Sequence, residues 1–181
     1  VDDAGGVGDF ASLALDAADA PHISYYDHGN AALKYARWTG GAWEIQVVDD
    51  AGGVGLHTSL ALDSSGRPYI SYRDKDNENL KVAHWTGSVW HVQTVDSSGD
   101  VGVDTSIALD AHDRPCVSYQ DWGDLSLKFA RWTGSAWEIE TVDSEGSTGS
   151  YTSLALDAAG HPQISYQDVS DEDLRYARWT G

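Results

Sequence analysis

TSLALDSSGRPYISYRDKDNENLKVAHWTGSVWHVQTVD, residues 58–96, holds four strand-length runs separated by turn chemistry. The runs are TSLALD (58–63), PYISYRD (68–74), LKVAHWT (80–86) and WHVQTVD (90–96). Each alternates polar with apolar residues or is rich in β-branched and aromatic ones, which marks short strands. Between the first two runs, Gly66 can take positive φ and Pro68 can only open a strand. Thr86-Gly87-Ser88 supplies a tight hairpin turn between the last two.

The same stretch recurs outward in both directions. Matches begin at Val1, Val48, Val95 and Val142, a constant spacing of 47 residues with no insertion. All four prolines keep that spacing (Pro21, Pro68, Pro115, Pro162), as do Trp38, Trp85, Trp132 and Trp179. A repeated four-stranded meander of this length, with glycine and aromatic signals once per unit, is the pattern of a β-propeller blade. A β-solenoid is the competing architecture, although its rungs are usually shorter. The expected fold is therefore all-β, with four-stranded antiparallel blades at 1–47, 48–94, 95–141 and 142–181. Links such as VDSSGDVGVDTS, read as about ten residues, would carry the chain from an outer strand to the next inner one.

In the first strands, Ser12, Ala14, Ser59, Ala61, Ser106, Ala108, Ser153 and Ala155 are small enough for a crowded centre. Alternation puts Leu13, Leu15, Ile23 and Tyr25 on the opposite surface, so the small face of one blade should meet the large face of the next. Such a contact is heterologous and propagates until a ring closes. Two closures are open: four blades around a very narrow axis, or, the expectation favoured here, two chains completing an eight-bladed ring as a homodimer. The fourth unit ends at Trp179-Thr180-Gly181 without an outer strand, and Val1-Asp2 match the tail of that strand. The N-terminus is expected beside the last blade of its own chain or of a partner.

The net charge is −18, which disfavours nucleic acid and anionic lipid as partners. Cys116 is the single cysteine, so no intrachain disulfide forms; its apolar strand suggests a small buried hydrophobe. No run of about eighteen apolar residues exists, and the expectation is a soluble chain with any export signal absent from the sequence as given.

The unit S-L-A-L-D-x-x-G-x-P-x-I-S-Y-x-D, followed by L-K-Y-A-R-W-T-G-x-x-W, resembles the tandem propeller repeats of bacterial and archaeal surface or secreted proteins. The resemblance covers the whole chain and implies an extracellular or cell-surface setting. The chain is also similar in general look to sialidase-like propellers, but their S-x-D-x-G-x-x-W box is not matched, because the Trp is displaced. Units two and three agree at about half their positions. Recent amplification or deliberate construction would produce such likeness, and with its truncated final blade the chain is expected to be a fragment of a larger propeller or a designed, symmetry-derived protein.

In this wiring the inter-blade links share one rim with the loops after the second strands, and exposed rims are where ligands commonly bind. Asp27, Asp74, Asp121 and Asp168 end the second strands there and are the candidate ligand-binding residues, for a cation or for sugar hydroxyls. Their alternative use is to accept loop amides or pair with Lys34, Lys81, Lys128 and Arg175 of the same blade. Asp16, Asp63, Asp110 and Asp157 fall on the other rim as turn-formers. Asp74–Glu78 and Asp168–Asp173 lack calcium-loop spacing, and the seven histidines scatter in register without zinc spacing, so no metal or cofactor is assigned. Nucleophile and phosphate-loop motifs are absent, and near-symmetric acids do not give the unlike environments of an acid/base pair. No catalytic residue is assigned. The expectation is a non-enzymatic, self-assembling propeller scaffold. The alternative is a multivalent carbohydrate- or cation-binding surface module, for which Trp43, Trp90 and Trp137 could be sugar platforms, although blade packing explains them better. A sialidase-like glycoside hydrolase fragment is the third reading.

Overall fold

The computed structural model describes residues 1–180. Its strands form four antiparallel meanders, each hydrogen-bonded in chain order. Blade 1 comprises β1 (Val7–Leu15), β2 (Pro21–Asp27), β3 (Ala32–Trp38) and β4 (Trp43–Asp49). Blade 2 comprises β5 (Val54–Leu62), β6 (Pro68–Asp74), β7 (Asn79–Trp85) and β8 (Trp90–Asp96). Blade 3 comprises β9 (Val101–Leu109), β10 (Pro115–Asp121), β11 (Ser126–Trp132) and β12 (Trp137–Asp143). Blade 4 has three strands among the described residues: β13 (Thr148–Leu156), β14 (Pro162–Asp168) and β15 (Asp173–Arg178). The first strands β1, β5, β9 and β13 neighbour one another in that order, so they line the axis.

The links correct one expectation. Instead of about ten residues, the structure leaves four between β4 and β5, because the inner strand resumes at Val54 rather than Thr58. The added residues hold register shifts between Val54 and Leu56 and between Leu56 and Ser59. Bulges of this kind break the two-residue alternation by which a strand is recognised. In every inner strand one non-glycine residue takes the left-handed region there: Phe10, His57, Asp104 and Tyr151, with φ between 50° and 55°.

The core lies between blades, not within them. Leu33 and Tyr35 of blade 1 pack with Leu60, Ile70 and Tyr72 of blade 2. Leu80 and Val82 of blade 2 meet Ile107, Val117 and Tyr119 of blade 3 in the same way. Leu127 and Phe129 then meet Leu154, Ile164 and Tyr166. Each fully buried Leu, Ile or Val contributes about 1.5–3 kcal/mol, so these layers supply the main drive for stacking. The receiving face is small only near the axis. At the third strand the receiving face presents Leu and aromatic side chains, such as Leu33 and Tyr35.

Serines stitch the inner part of each junction. Ser12 Oγ accepts from the Leu60 amide at 3.0 Å, Ser59 from Ile107 at 3.2 Å and Ser106 from Leu154 at 3.0 Å. Ser24, Ser71 and Ser118 pair with Thr58, Thr105 and Thr152 of the following blade, each at 2.7 Å. Such bonds satisfy groups that packing would otherwise strand away from water. Cys116 is buried, and burial pushes its thiol up to about 11, so the thiolate nucleophile is scarce near neutral pH.

Candidate functional site

The aspartate rim is built from chain turns. Asp74 ends β6, and its carboxylate accepts from the Asn77 amide at 3.1 Å and lies 2.7 Å from Lys81 Nζ. Asp27 receives the Asn30 amide at 3.0 Å and Lys34 at 2.8 Å. Asp121 pairs with Lys128 at 2.7 Å and Asp168 with Arg175 at 2.6 Å. All four of these candidate residues are buried beneath the rim. Their carboxylates hold the loop and the cation of their own blade, and a ligand at those oxygens would have to displace that cation.

The hydrogen bond from Lys34, followed by those from Asn30, holds Asp27 down at about 2 despite its burial. Each lysine also reaches towards the preceding link: Lys81 lies 3.6 Å from Asp49, whose carboxylate accepts the Tyr72 hydroxyl at 2.7 Å. The pattern Tyr119 to Asp96 and Tyr166 to Asp143 repeats it at 2.7 Å. On the opposite rim the turn-formers behave as expected from the sequence. Asp63 Oδ1 accepts from Ser65 N at 2.9 Å and Arg67 N at 2.8 Å, for example.

On that opposite side, two repeat-equivalent clefts open between blades. One, of about 380 Å³, separates blades 2 and 3 and is lined by Tyr69, His84 and Gln93 on one wall and Arg114, Trp132 and Trp137 on the other. The second, of about 330 Å³, separates blades 3 and 4 and includes Arg131, Glu140, His161 and Trp179. His84 and Arg131, Gln93 and Glu140, Arg114 and His161, and Trp132 and Trp179 are related by the 47-residue repeat. Both clefts therefore set an indole opposite a planar donor and an amide or carboxylate.

In the first cleft the Tyr69 and His84 rings stack with centroids 5.1 Å apart. Trp132 tilts against Trp137 at 5.6 Å. The Trp137 indole N–H is buried without an acceptor among the described residues. Its counterpart Trp90 donates to Gln46 of blade 1 at 2.8 Å. A buried donor of this kind is costly unless something supplies an oxygen.

The sequence favours blade packing over sugar stacking for Trp43, Trp90 and Trp137, and Trp90 and Trp137 do pack against the inter-blade core. The clefts are not visible in the sequence, since their walls come from different blades. The available signal was a hydrogen-bonding residue, Gln46, Gln93 or Glu140, repeated in the middle of the outer strand.

At the axis, the bulge residues form a row. Phe10 packs on His57 with centroids 4.6 Å apart, and His57 Nδ1 lies 2.9 Å from Asp104 Oδ1. Asp104 Oδ2 accepts from the Tyr151 amide at 2.8 Å. These four repeat-equivalent positions carry four different residues, and they border a shallow hollow of about 270 Å³. The His57 and Asp104 side chains are committed to one another, and the hollow is open.

No family model and no curated protein matches the chain. Solved structures do. The lectin of Aleuria aurantia, in complex with Fucalpha1-6GlcNAc, aligns over 94% of this chain and 60% of its own, with TM-score 0.66 and 18% identity. A fucose lectin from Kordia zhangzhouensis, in complex with methyl-fucoside, aligns over 75% of this chain and 99% of its own, with TM-score 0.51 and 21% identity. The Hadza microbial sialidase Hz136 aligns over 96% of this chain and 44% of its own, with TM-score 0.63 and 12% identity. This chain thus spans less than two thirds of the Aleuria lectin and of the sialidase. At these identities the likeness is one of fold, and with the repeated four-stranded meanders it establishes the chain as an all-β array of β-propeller blades.

Proposed function

We propose that the chain is a non-catalytic carbohydrate-binding propeller module, with its sugar sites in the repeated inter-blade clefts rather than on the aspartate rim. One observation carries this reading: two clefts related by the repeat present the same chemistry, an aromatic plate facing paired planar hydrogen-bonding groups. A sugar offers an apolar C–H face to an indole and vicinal hydroxyls to guanidinium, amide or carboxylate groups. The net charge of −18 selects neutral sugars over sialic or uronic acids. That one structural neighbour is a fucose lectin and another a lectin in complex with Fucalpha1-6GlcNAc makes a neutral deoxyhexose the first probe. Individual clefts this open bind weakly, and repetition along the ring converts weak binding into avidity. The stacking expected of a self-assembling scaffold is here the frame that multiplies the sites.

The test is binding to an array of densely immobilised neutral and acidic glycans, followed by titration with methyl-fucoside. Neutral glycans are expected to be retained and acidic ones not. Trp132→Ala, which removes a wall shared by both clefts, should weaken retention about tenfold or more, the equivalent of losing one good aromatic contact. Circular dichroism should report an unchanged fold. Silence across the array, or undiminished binding by Trp132→Ala, would remove the reading.

A further inference from the structure

Three internal junctions join the blades, and the two ends of the arc carry the two halves of a fourth. Leu60, Ile107 and Leu154 are 7%, 7% and 8% exposed, whereas their equivalent Leu13, with no preceding blade, is 63% exposed. At the other end Leu174 is 85% exposed and Tyr176 61%, while Leu33, Leu80 and Leu127 are fully buried and Tyr35 is 3% exposed. Each free face is the one that its counterparts bury in every internal junction.

The N-terminal segment is already shaped for a missing neighbour. Asp2 accepts the Tyr25 hydroxyl at 2.7 Å, as Asp49 accepts that of Tyr72. The Ala4 amide donates to Asp2 at 3.1 Å, as the Ala51 amide does to Asp49. His28 N reaches Gly6 O at 2.8 Å, as Lys75 N reaches Gly53 O. Asp49 also pairs in register with Leu33 of the preceding blade. By the repeat, the residue that Asp2 lacks is Leu174.

Gly8 shows the same gap. A Cβ on Gly55 would lie 2.7 Å from Leu33 Cα, one on Gly102 3.0 Å from Leu80 Cα, and one on Gly149 2.9 Å from Leu127 Cα. A Cβ on Gly8 meets nothing within 4 Å. Room is kept there for a leucine backbone that the single chain does not place.

We infer that the occupant of these faces is a second copy of this chain, docked head to tail twice, so that two chains close an eight-bladed ring. Leu13 enters the face formed by the partner subunit's Leu174 and the partner subunit's Tyr176. Ser153 takes the amide of Leu13 of the partner subunit, as Ser12 takes that of Leu60. Ser165 finds no hydroxyl, since position 11 is Ala where the other blades have Thr58, Thr105 and Thr152. The closing junction is therefore somewhat weaker than the internal ones. It also brings Arg178 opposite Trp38 of the partner subunit, the planar donor and the indole of a further, partial cleft. That last consequence rests on the glycan reading, and the association does not.

Light scattering coupled to size exclusion, at about 100 μM chain and physiological salt to screen the mutual repulsion, tests it. The expected mass is twice 19.5 kDa. Leu174→Arg should elute as a folded monomer, because the side chain it replaces touches solvent in the single chain. Gly8→Ala should shift the equilibrium the same way, while Trp132→Ala stays dimeric whether or not it binds sugar. A wild-type monomer, an open series of larger masses, or a dimer that survives Leu174→Arg would overturn the inference.

Discussion

Gly55→Ala is expected to destabilise the chain by about 2–5 kcal/mol, on the order of 10 °C in thermal midpoint for a domain of this size. Two effects add. Gly55 sits at φ 102°, a conformation that an L side chain adopts only at a cost of about 1–2 kcal/mol. The new methyl also strikes the Leu33 Cα of the neighbouring blade at 2.7 Å, a backbone atom that no rotamer change can move. Overpacking of this kind adds about 1–3 kcal/mol. Gly87→Ala is the control, since Gly87 has φ 100° but open space around it, and only the conformational part applies. Thermal unfolding followed by circular dichroism separates the two; equal losses would mean that the blades do not approach as closely as the structure has them.

Lys34→Met should cost about 3 kcal/mol or more at neutral pH, because it leaves Asp27 buried and without its cation. Lys34 Nζ stands 2.8 Å from Asp27 and 3.1 Å from Asp2, and the Asp27 side chain is fully buried. The loss is expected to depend on pH in a defined direction. Asp27 is held at about 2 in the folded chain, below the value near 3.9 of a free aspartate. A carboxyl with a depressed folded pKa contributes stability above its unfolded value and loses it as pH falls through the folded one. The gap in midpoint between wild type and Lys34→Met should therefore be full above about pH 5 and shrink between about pH 4 and 2. Comparing the two chains cancels the relief of the −18 charge, which acts on both. A gap independent of pH would show that Lys34 acts through packing alone.

Much of the fold was legible in the sequence because its punctuation is chemical. Proline fixed the start of β6 at Pro68 and aspartate its end at Asp74, and β8 runs Trp90–Asp96, as the alternation indicated. The inner strand was not legible at its start. His57 in a left-handed bulge breaks the alternation, so four residues of strand read as linker. The rim aspartates show a different limit. Composition marks Asp74 as a possible ligand, yet whether its carboxylate faces outward depends on Lys81, seven residues away and brought back by the β6–β7 hairpin. The inter-blade clefts were hidden for a plainer reason: residues such as Gln93 and Trp132 become neighbours only when one blade packs on the next.

The most direct test of blade-on-blade stacking is hydrogen exchange, followed by NMR, at four equivalent amides of the inner strands. In the Leu174→Arg chain, kept as a single copy, the amides of Leu60, Ile107 and Leu154 should exchange slowly, each bonded to a serine of the preceding blade. The Leu13 amide, with no blade before it, should exchange much faster. Four similar rates, or fast exchange at Leu60, Ile107 and Leu154, would contradict the stacking from which the clefts and the closing junction are both derived.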